Sequence, residues 1–237
     1  MAVPGLDPGI NPAIQIPASS AGMTNSCKGS PPMKLYYAPG VCSIGIHVLL
    51  EEIGKPYDLQ AVNLREGAQY KPEFTSVSSK SKVPALERDD GSILTEFPVI
   101  ATYLAKTNPQ AKLIPQDLET ELRAYEAMEY AVGTMHGQGF ARIFRPGNFG
   151  PAEQEDAVKA RGREMVEKGF QILDKALAGK DYLGGSALST ADAAVFYVEF
   201  WGAARLNMKL PPNVAAHYER MKSRPAVQRA MQQEGVA

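Results

Sequence analysis

The chain has 237 residues, of which 44% are hydrophobic and 22% charged, and its formal net charge at pH 7 is -1. These values are typical of a globular protein with one large or two modest domains. They leave no basic surplus for nucleic acid or an anionic membrane surface, and no apolar stretch approaches the ~20 residues of a bilayer span. We therefore expect neither a nucleic-acid nor a membrane partner.

The cysteine and histidine content argues against a disulfide framework and a metal site. The two cysteines are Cys27 and Cys42, and the three histidines are far apart in sequence. Cys42 has no second cysteine at the spacing of a zinc finger or a Cys-x-x-Cys pair. We expect no bound metal, and a reducing compartment, the cytoplasm.

The first 32 residues differ in composition from the rest of the chain. They are rich in Pro, Gly, Ser and Ala, carry few charges and follow neither a strand nor a helix period. Such a segment buries too little apolar surface to offset the entropy of ordering it. We predict a disordered extension over residues 1–32, with Cys27 exposed in it.

Residues 33–107 alternate strand and helix patterns. The predicted order is a strand, a helix, a strand, a short helix, a hairpin and a final helix. In chain order these segments are Lys34–Tyr37, Cys42–Ile53, Tyr57–Leu64, Tyr70–Val77, Val83–Arg88 with Ser92–Thr95, and Phe97–Lys106. Residues 108–116 contain two prolines and are a predicted linker.

Residues 117–237 have helical patterns throughout. The longest predicted helix, Leu118–Phe144, has a glycine-rich part at residues 133–139 where we expect a kink. Further helices are predicted over Ala152–Ala178, Ser189–Leu206 and Val214–Met221, and after Pro225.

Ser189 and Asp192 have the spacing of a capping box at the start of a helix. This pattern indicates a folding signal and not a catalytic one. Losing Asp192 is therefore expected to cost about 0.5–2 kcal/mol, the range for a helix cap.

Cys42 follows the first predicted strand and a Pro39-Gly40 turn, and it opens the first predicted helix. A thiol at a helix N-terminus faces unpaired backbone N–H groups and the positive end of the helix dipole. Both favour the thiolate, so we expect the pKa of Cys42 to lie below its ordinary value. The alternative is a small apolar cysteine that only packs at a helix start.

Two junctions further along the chain have features of a ligand site. A cis bond at Val83-Pro84 would turn the Val83 N–H and C=O outward as an edge that a short peptide can join. Glu96 and the amide of Phe97 lie at a predicted helix N-terminus, where they can bind an ammonium and a carboxylate. The alternatives are a trans proline at a strand start and a Glu96 that only caps its helix.

His136 lies in the glycine-rich part of the long helix. An imidazole there could hydrogen-bond a thiolate of the neighbouring domain. A surface or packing histidine is the alternative.

Together these motifs resemble the glutathione transferase family, and most closely its bacterial beta class. The segments KLYYAPGVCS (residues 34–43) and RPAVQ (residues 224–228) are similar to that class's N-terminal and C-terminal signatures. The resemblance covers Met33 to the C-terminus. It implies an α/β N-terminal thioredoxin-like domain (βαβαββα) over 33–107, an all-α C-terminal domain over 117–237, and a homodimer.

The resemblance also implies a glutathione site. The cysteinyl backbone of glutathione would pair with Val83 beside a cis Pro84, and its γ-glutamyl end would lie at Glu96 and Phe97. The residues implied around the glutathione sulfur are Cys42, Ser43 and His136, with catalytic roles, and Tyr37.

Three departures from the family pattern bear on these contacts. Lys82 replaces the usual Gln before the Val-Pro step, so that contact becomes ionic or is lost. Phe97 replaces Ser or Gly and keeps only the amide. Ser78–Ser81 replaces the usual Asn-Pro-Lys-Gly, which leaves Arg65 as a candidate for the glycyl carboxylate.

The implied function is an enzyme that adds the glutathione thiolate to small hydrophobic electrophiles, or exchanges disulfides through Cys42. The electrophile pocket would lie between the domains, lined by the Leu118–Phe144 helix and covered by residues 144–150. Two alternatives stay open: a non-catalytic binding or regulatory protein on the same fold, and a glutathione-dependent isomerase or lyase.

Overall fold

The computed structural model describes residues 32–237, so the predictions for the N-terminal extension and for Cys27 lie outside the described residues. A four-stranded sheet has the strand order β2-β1-β3-β4. Its strands are β1 (Met33–Tyr37), β2 (Tyr57–Ala61), β3 (Ala85–Glu87) and β4 (Ile93–Thr95). β1 pairs with β2 in parallel, whereas the β1–β3 and β3–β4 pairs are antiparallel.

Three helices accompany the sheet: α1 (Ser43–Ile53), α2 (Pro72–Thr75) and α3 (Phe97–Thr107). A parallel β1–β2 pair needs a crossover, and α1 provides it. α1 ends at Gly54, which adopts φ 72° and closes the helix through its N–H to Leu50 O. The predicted order of elements is confirmed, although β2 is shorter than predicted and gives way to a 3₁₀ turn, Leu64–Glu66.

From residue 118 onward the chain is helical. The helices are α4 (Leu118–Glu129), a π-helical segment (Tyr130–Phe140), α5 (Ala141–Phe144), α6 (Glu155–Ala176), α7 (Thr190–Phe200), a second π-helical segment (Trp201–Arg205), α8 (Pro212–Ser223) and α9 (Pro225–Gln233). The fold prediction, a mixed α/β part followed by an all-α part, is confirmed. The predicted domain limits stay a prediction.

The glycine-rich part of the long helix changes its winding from α to π, where a kink was predicted. Two glycines explain its close approach to α6. A Cβ on Gly162 would lie 2.7 Å from the carbonyl oxygen of Gly139, and a Cβ on Gly139 would lie 2.8 Å from the Val166 side chain. The π-helical segment, which carries His136, therefore packs against α6 with the two helix backbones in close contact.

α7 is the central helix of the all-α part, and all of its side chains are buried. The predicted capping box is present at its start: Asp192 Oδ2 accepts from the Ser189 N–H at 2.7 Å and from the Ser189 hydroxyl at 2.8 Å. Asp192 Oδ1 also accepts from the Leu183 N–H at 2.7 Å and lies 3.1 Å from His217 Nε2. Asp192 therefore joins three parts of the chain and does more than cap one helix.

Two negative findings hold for residues 32–237. No helix there is both long and apolar enough to cross a bilayer. No three His, Cys, Asp or Glu side chains of this range converge as a metal site.

Candidate functional site

Cys42 and Val83 lie side by side although they are 41 residues apart. Cys42 immediately precedes α1 and is 9% exposed. Its thiol donates a hydrogen bond to the carbonyl oxygen of Val83, with 3.4 Å between sulfur and oxygen. The Val83-Pro84 bond is cis, as the resemblance implies. The thiol thus lies against the edge that is predicted to bind a peptide.

The predicted fall in the pKa of Cys42 is wrong for this arrangement. Burial is the largest influence and raises the pKa of the thiol to about 12. The backbone N–H groups of Ser43 and Cys42, and the positive charge of Arg145, act in the opposite direction but do not outweigh it. The groups at the helix start therefore lower the pKa of Cys42 as expected, but the cost of burying a thiolate is larger and raises it.

We predict that Cys42 reacts slowly with iodoacetamide at neutral pH in the protein without added ligand. Because its pKa is raised, the thiolate fraction should still be increasing above pH 9. The measurement is the alkylation rate against pH by mass spectrometry, in a Cys27→Ser background that leaves one thiol. A rate that reaches its plateau below pH 8 would contradict the raised pKa.

Glu96 and Lys80 form the second part of the site, at the start of α3. Glu96 has a positive φ of 70°, and its side chain is 56% exposed. Lys80 Nζ lies 2.7 Å from Glu96 Oε1 and 2.9 Å from the Thr95 hydroxyl. No role for Lys80 was predicted, because a lysine in a serine-rich loop does not indicate which carboxylate it will contact. An exposed carboxylate that already pairs with the ammonium of a lysine can exchange it for the ammonium group of a ligand.

Phe97 follows Glu96 and contributes differently from its neighbour. Its side chain is 3% exposed, and its ring centroid lies 5.5 Å from that of Tyr197. As the first residue of α3, it has a backbone N–H that the helix itself leaves unpaired. The predicted amide contact is thus available, while the side chain belongs to the core.

His136 lies in the π-helical segment, with its Nδ1 3.3 Å from the Tyr197 hydroxyl. Its ring meets Trp201 edge-on at a centroid distance of 4.8 Å. Burial lowers the pKa of His136 to about 4, and the positive charges of Arg145 and Lys82 add to this effect. His136 is therefore neutral at pH 7. Its hydrogen bond in the described part of the chain goes to Tyr197, whereas the sequence analysis predicts a thiolate as its partner.

Of the remaining predicted residues, two are buried and two are exposed. The Ser43 hydroxyl is fully buried and both donates to and accepts from the Ala38 backbone at 3.2 Å, which favours bracing the loop over touching a ligand sulfur. Tyr37 is buried with its ring 5.9 Å from that of His47. Lys82 and Arg65 are exposed.

The C-terminal part of the chain holds the loop before Cys42, which the sequence motifs did not reveal. Glu234, 194 residues from Gly40, accepts from the Gly40 N–H at 2.7 Å and lies 2.9 Å from His47 Nδ1. Trp201 Nε1 and Arg205 Nη2 donate to the Gly40 carbonyl at 2.9 and 2.7 Å. Burial raises the pKa of Glu234. No local pattern marks such a contact, because it joins residues that are 194 positions apart.

Comparison with known proteins gives the family. The model of the glutathione S-transferase N-terminal domain matches residues 41–107, and that of the C-terminal domain matches residues 156–220. Glutathione S-transferase GstA of Escherichia coli O157:H7 is 35% identical over 207 residues, which cover 86% of this chain and 100% of the relative. The chain belongs to the glutathione S-transferase family.

Two solved structures are similar in fold and sequence to this family member. A bacterial beta class glutathione S-transferase of Sphingomonas chungbukensis is 31% identical, with a TM-score of 0.74, and the match covers 86% of this chain and 100% of that one. A sphingomonad glutathione S-transferase complexed with glutathione is 32% identical, with the same TM-score of 0.74 and coverage of 86% and 100%. The predicted family and the likeness to the beta class are confirmed.

Proposed function

We propose that this glutathione S-transferase family member binds glutathione at the Val83 edge and uses its thiolate as a nucleophile. The observation that carries the proposal is the 3.4 Å contact between the Cys42 thiol and the Val83 carbonyl. A peptide that joins this edge as an extra strand pairs its own backbone with Val83, which brings its cysteinyl sulfur to Cys42. The complex of the similar sphingomonad protein with glutathione supports this choice of peptide.

The γ-glutamyl end of glutathione is assigned to the start of α3. Its ammonium takes the position that Lys80 occupies on Glu96, and its carboxylate meets the Phe97 N–H at the positive end of the helix. Lys80, once released from Glu96, is close enough to pair with a carboxylate of the same ligand. This exchange breaks the Lys80–Glu96 pair and makes two pairs with the ligand, so binding leaves neither Glu96 nor Lys80 unpaired.

The bound thiolate has two uses. Addition to a small hydrophobic electrophile fits the aromatic surroundings of His136, where Phe144 stacks on Phe140 at 5.7 Å and meets Trp201 at 5.5 Å. Disulfide exchange fits the neighbouring Cys42, which has no second cysteine beside it to resolve the bond internally. We further propose a homodimer, and the cytoplasm as the compartment in which the Cys42 thiol stays reduced.

The first experiment measures glutathione binding by calorimetry and thermal shift in wild type and Glu96→Gln. Removing the carboxylate charge deletes a charge-assisted bond to the ligand ammonium, so affinity should fall about tenfold or more. Glu167→Gln, an exposed glutamate on α6, is the matched control and should bind as wild type does. No thermal shift of the wild type with millimolar glutathione would contradict the enzyme proposal and favour the non-catalytic alternative.

A further inference from the structure

Tyr197 is a buried phenol on α7 to which the sequence motifs gave no role. Its side chain has no solvent exposure, and its hydroxyl lies 3.3 Å from Nδ1 of His136. Its ring centroid lies 5.5 Å from that of Phe97, 5.7 Å from that of His136 and 5.1 Å from that of Trp201. This aromatic packing fixes the ring, so the hydroxyl cannot turn away to another partner.

The direction of this hydrogen bond follows from the groups at hand. Burial raises the pKa of Tyr197 well above its ordinary value, and the Glu129 carboxylate acts in the same direction. The phenol therefore keeps its proton, and a buried hydroxyl proton needs an acceptor. Within residues 32–237, the acceptor that the structure shows for it is Nδ1 of His136.

A neutral imidazole that accepts at Nδ1 carries its own proton on Nε2. We propose that Tyr197 is a positioning residue whose hydroxyl holds His136 in the Nε2–H tautomer, so that the imidazole offers a hydrogen-bond donor to the thiolate of the bound peptide. The identity of the thiolate rests on the proposed glutathione site. The tautomer rests on the Tyr197–His136 hydrogen bond and does not depend on that site.

This assignment gives His136 a definite role. With its proton on Nε2, that nitrogen stabilises a thiolate by donation and cannot take a proton from a thiol. The same conclusion explains why a buried phenol lies behind a histidine of the site: the hydrogen bond at one ring nitrogen sets which of the two is protonated. Tyr197 thus acts on the ligand through His136 and does not itself touch the ligand.

The test is ¹⁵N NMR of the histidine rings in the protein without added ligand, with the His136 signals assigned by their loss in His136→Gln. Wild type should show the Nε2–H tautomer, and Tyr197→Phe should show a mixture of the two tautomers. Tyr218→Phe is the matched control, because Tyr218 is also a buried phenol but stacks on Phe196 at 6.0 Å. An Nδ1–H tautomer in wild type, or an unchanged tautomer in Tyr197→Phe, would overturn the proposal.

The kinetic arm tests the role toward the thiolate. Tyr197→Phe should lower kcat for glutathione conjugation about fivefold, the equivalent of one neutral hydrogen bond, with little change in the KM for glutathione. An unchanged kcat with a changed tautomer would overturn that role. If the protein does not bind glutathione at all, the tautomer result still stands, so the two failures are distinguishable.

Discussion

Replacing Cys42 by Ala is expected to reduce glutathione-dependent disulfide exchange to the background rate, a loss of at least about a hundredfold, because the thiolate is the attacking group. In the exchange, the Cys42 thiolate attacks the glutathione sulfur of a mixed disulfide between glutathione and a small thiol, a Cys42–glutathione disulfide forms and the small thiolate leaves. A glutathione thiolate then attacks the glutathione sulfur of that bond, which regenerates the Cys42 thiolate and forms glutathione disulfide. The measurement is the exchange rate with a small disulfide, together with the intact mass of the protein.

Conjugation should respond differently to the same substitution. The glutathione sulfur is the nucleophile in that reaction, and Cys42→Ala would leave the Val83 carbonyl without its thiol donor and so free for the peptide. We therefore expect binding of a glutathione analogue without a thiol to be at least as tight as in wild type. Cys27→Ser is the control and should retain both activities. Exchange that survives in Cys42→Ala would show that Cys42 is not the exchanging thiol.

The elements of the N-terminal part could be predicted because their signals are local. The Asp89-Asp90-Gly91 turn gives the hairpin, and Gly54 gives the end of α1, where it adopts φ 72°. The cis bond at Val83-Pro84 was implied by the family resemblance and not by such signals, and the order of the strands within the sheet comes from the structure. Local chemistry thus predicts element type, while long-range pairing needs the structure.

The site was predicted less completely than the fold. The Lys80–Glu96 pair spans two loops, and Glu234 contacts Gly40 although the two are 194 residues apart. Tyr197 lies in an apolar run whose pattern indicates only a buried helix. For Cys42, the sequence shows the helix N-terminus but not the depth of burial, and that burial decides the sign of the pKa shift.

Asp192→Ala should cost about 3–5 kcal/mol of unfolding free energy, well beyond the 0.5–2 kcal/mol expected for a helix cap. Asp192 is fully buried and accepts from Leu183, Ser189 and His217. Burial alone would lower the pKa of His217, but the carboxylates of Glu199 and Asp192 raise it to about 10. The substitution therefore removes one partner of a buried cation and leaves two buried N–H groups unpaired. The measurement is urea unfolding at pH 7.

Asp117→Ala is the matched control, because Asp117 caps α4 through Thr120 N at 2.9 Å but is exposed, so its loss should be clearly smaller. Asp192→Asn keeps the acceptor oxygen without the charge and should fall between wild type and Asp192→Ala. Equal losses for Asp117→Ala and Asp192→Ala would show that Asp192 is only a cap.

The pH dependence separates the charge of Asp192 from its hydrogen bonds. The folded-state pKa of His217 is raised from 6.5 to about 10, so its stabilisation is complete below pH 6.5 and is lost as the pH rises through 10. Burial raises the pKa of Glu199 to about 7. Ionisation of Glu199 therefore lowers the stability mainly below pH 7 and adds little pH dependence above it. Between pH 7 and 10 the unfolded state has lost this proton, so keeping it on His217 in the folded wild type becomes less favourable as the pH rises. The difference in stability between wild type and Asp192→Ala should therefore shrink over this range. A difference that stays constant over this range would mean that Asp192 contributes through its backbone and Ser189 hydrogen bonds alone.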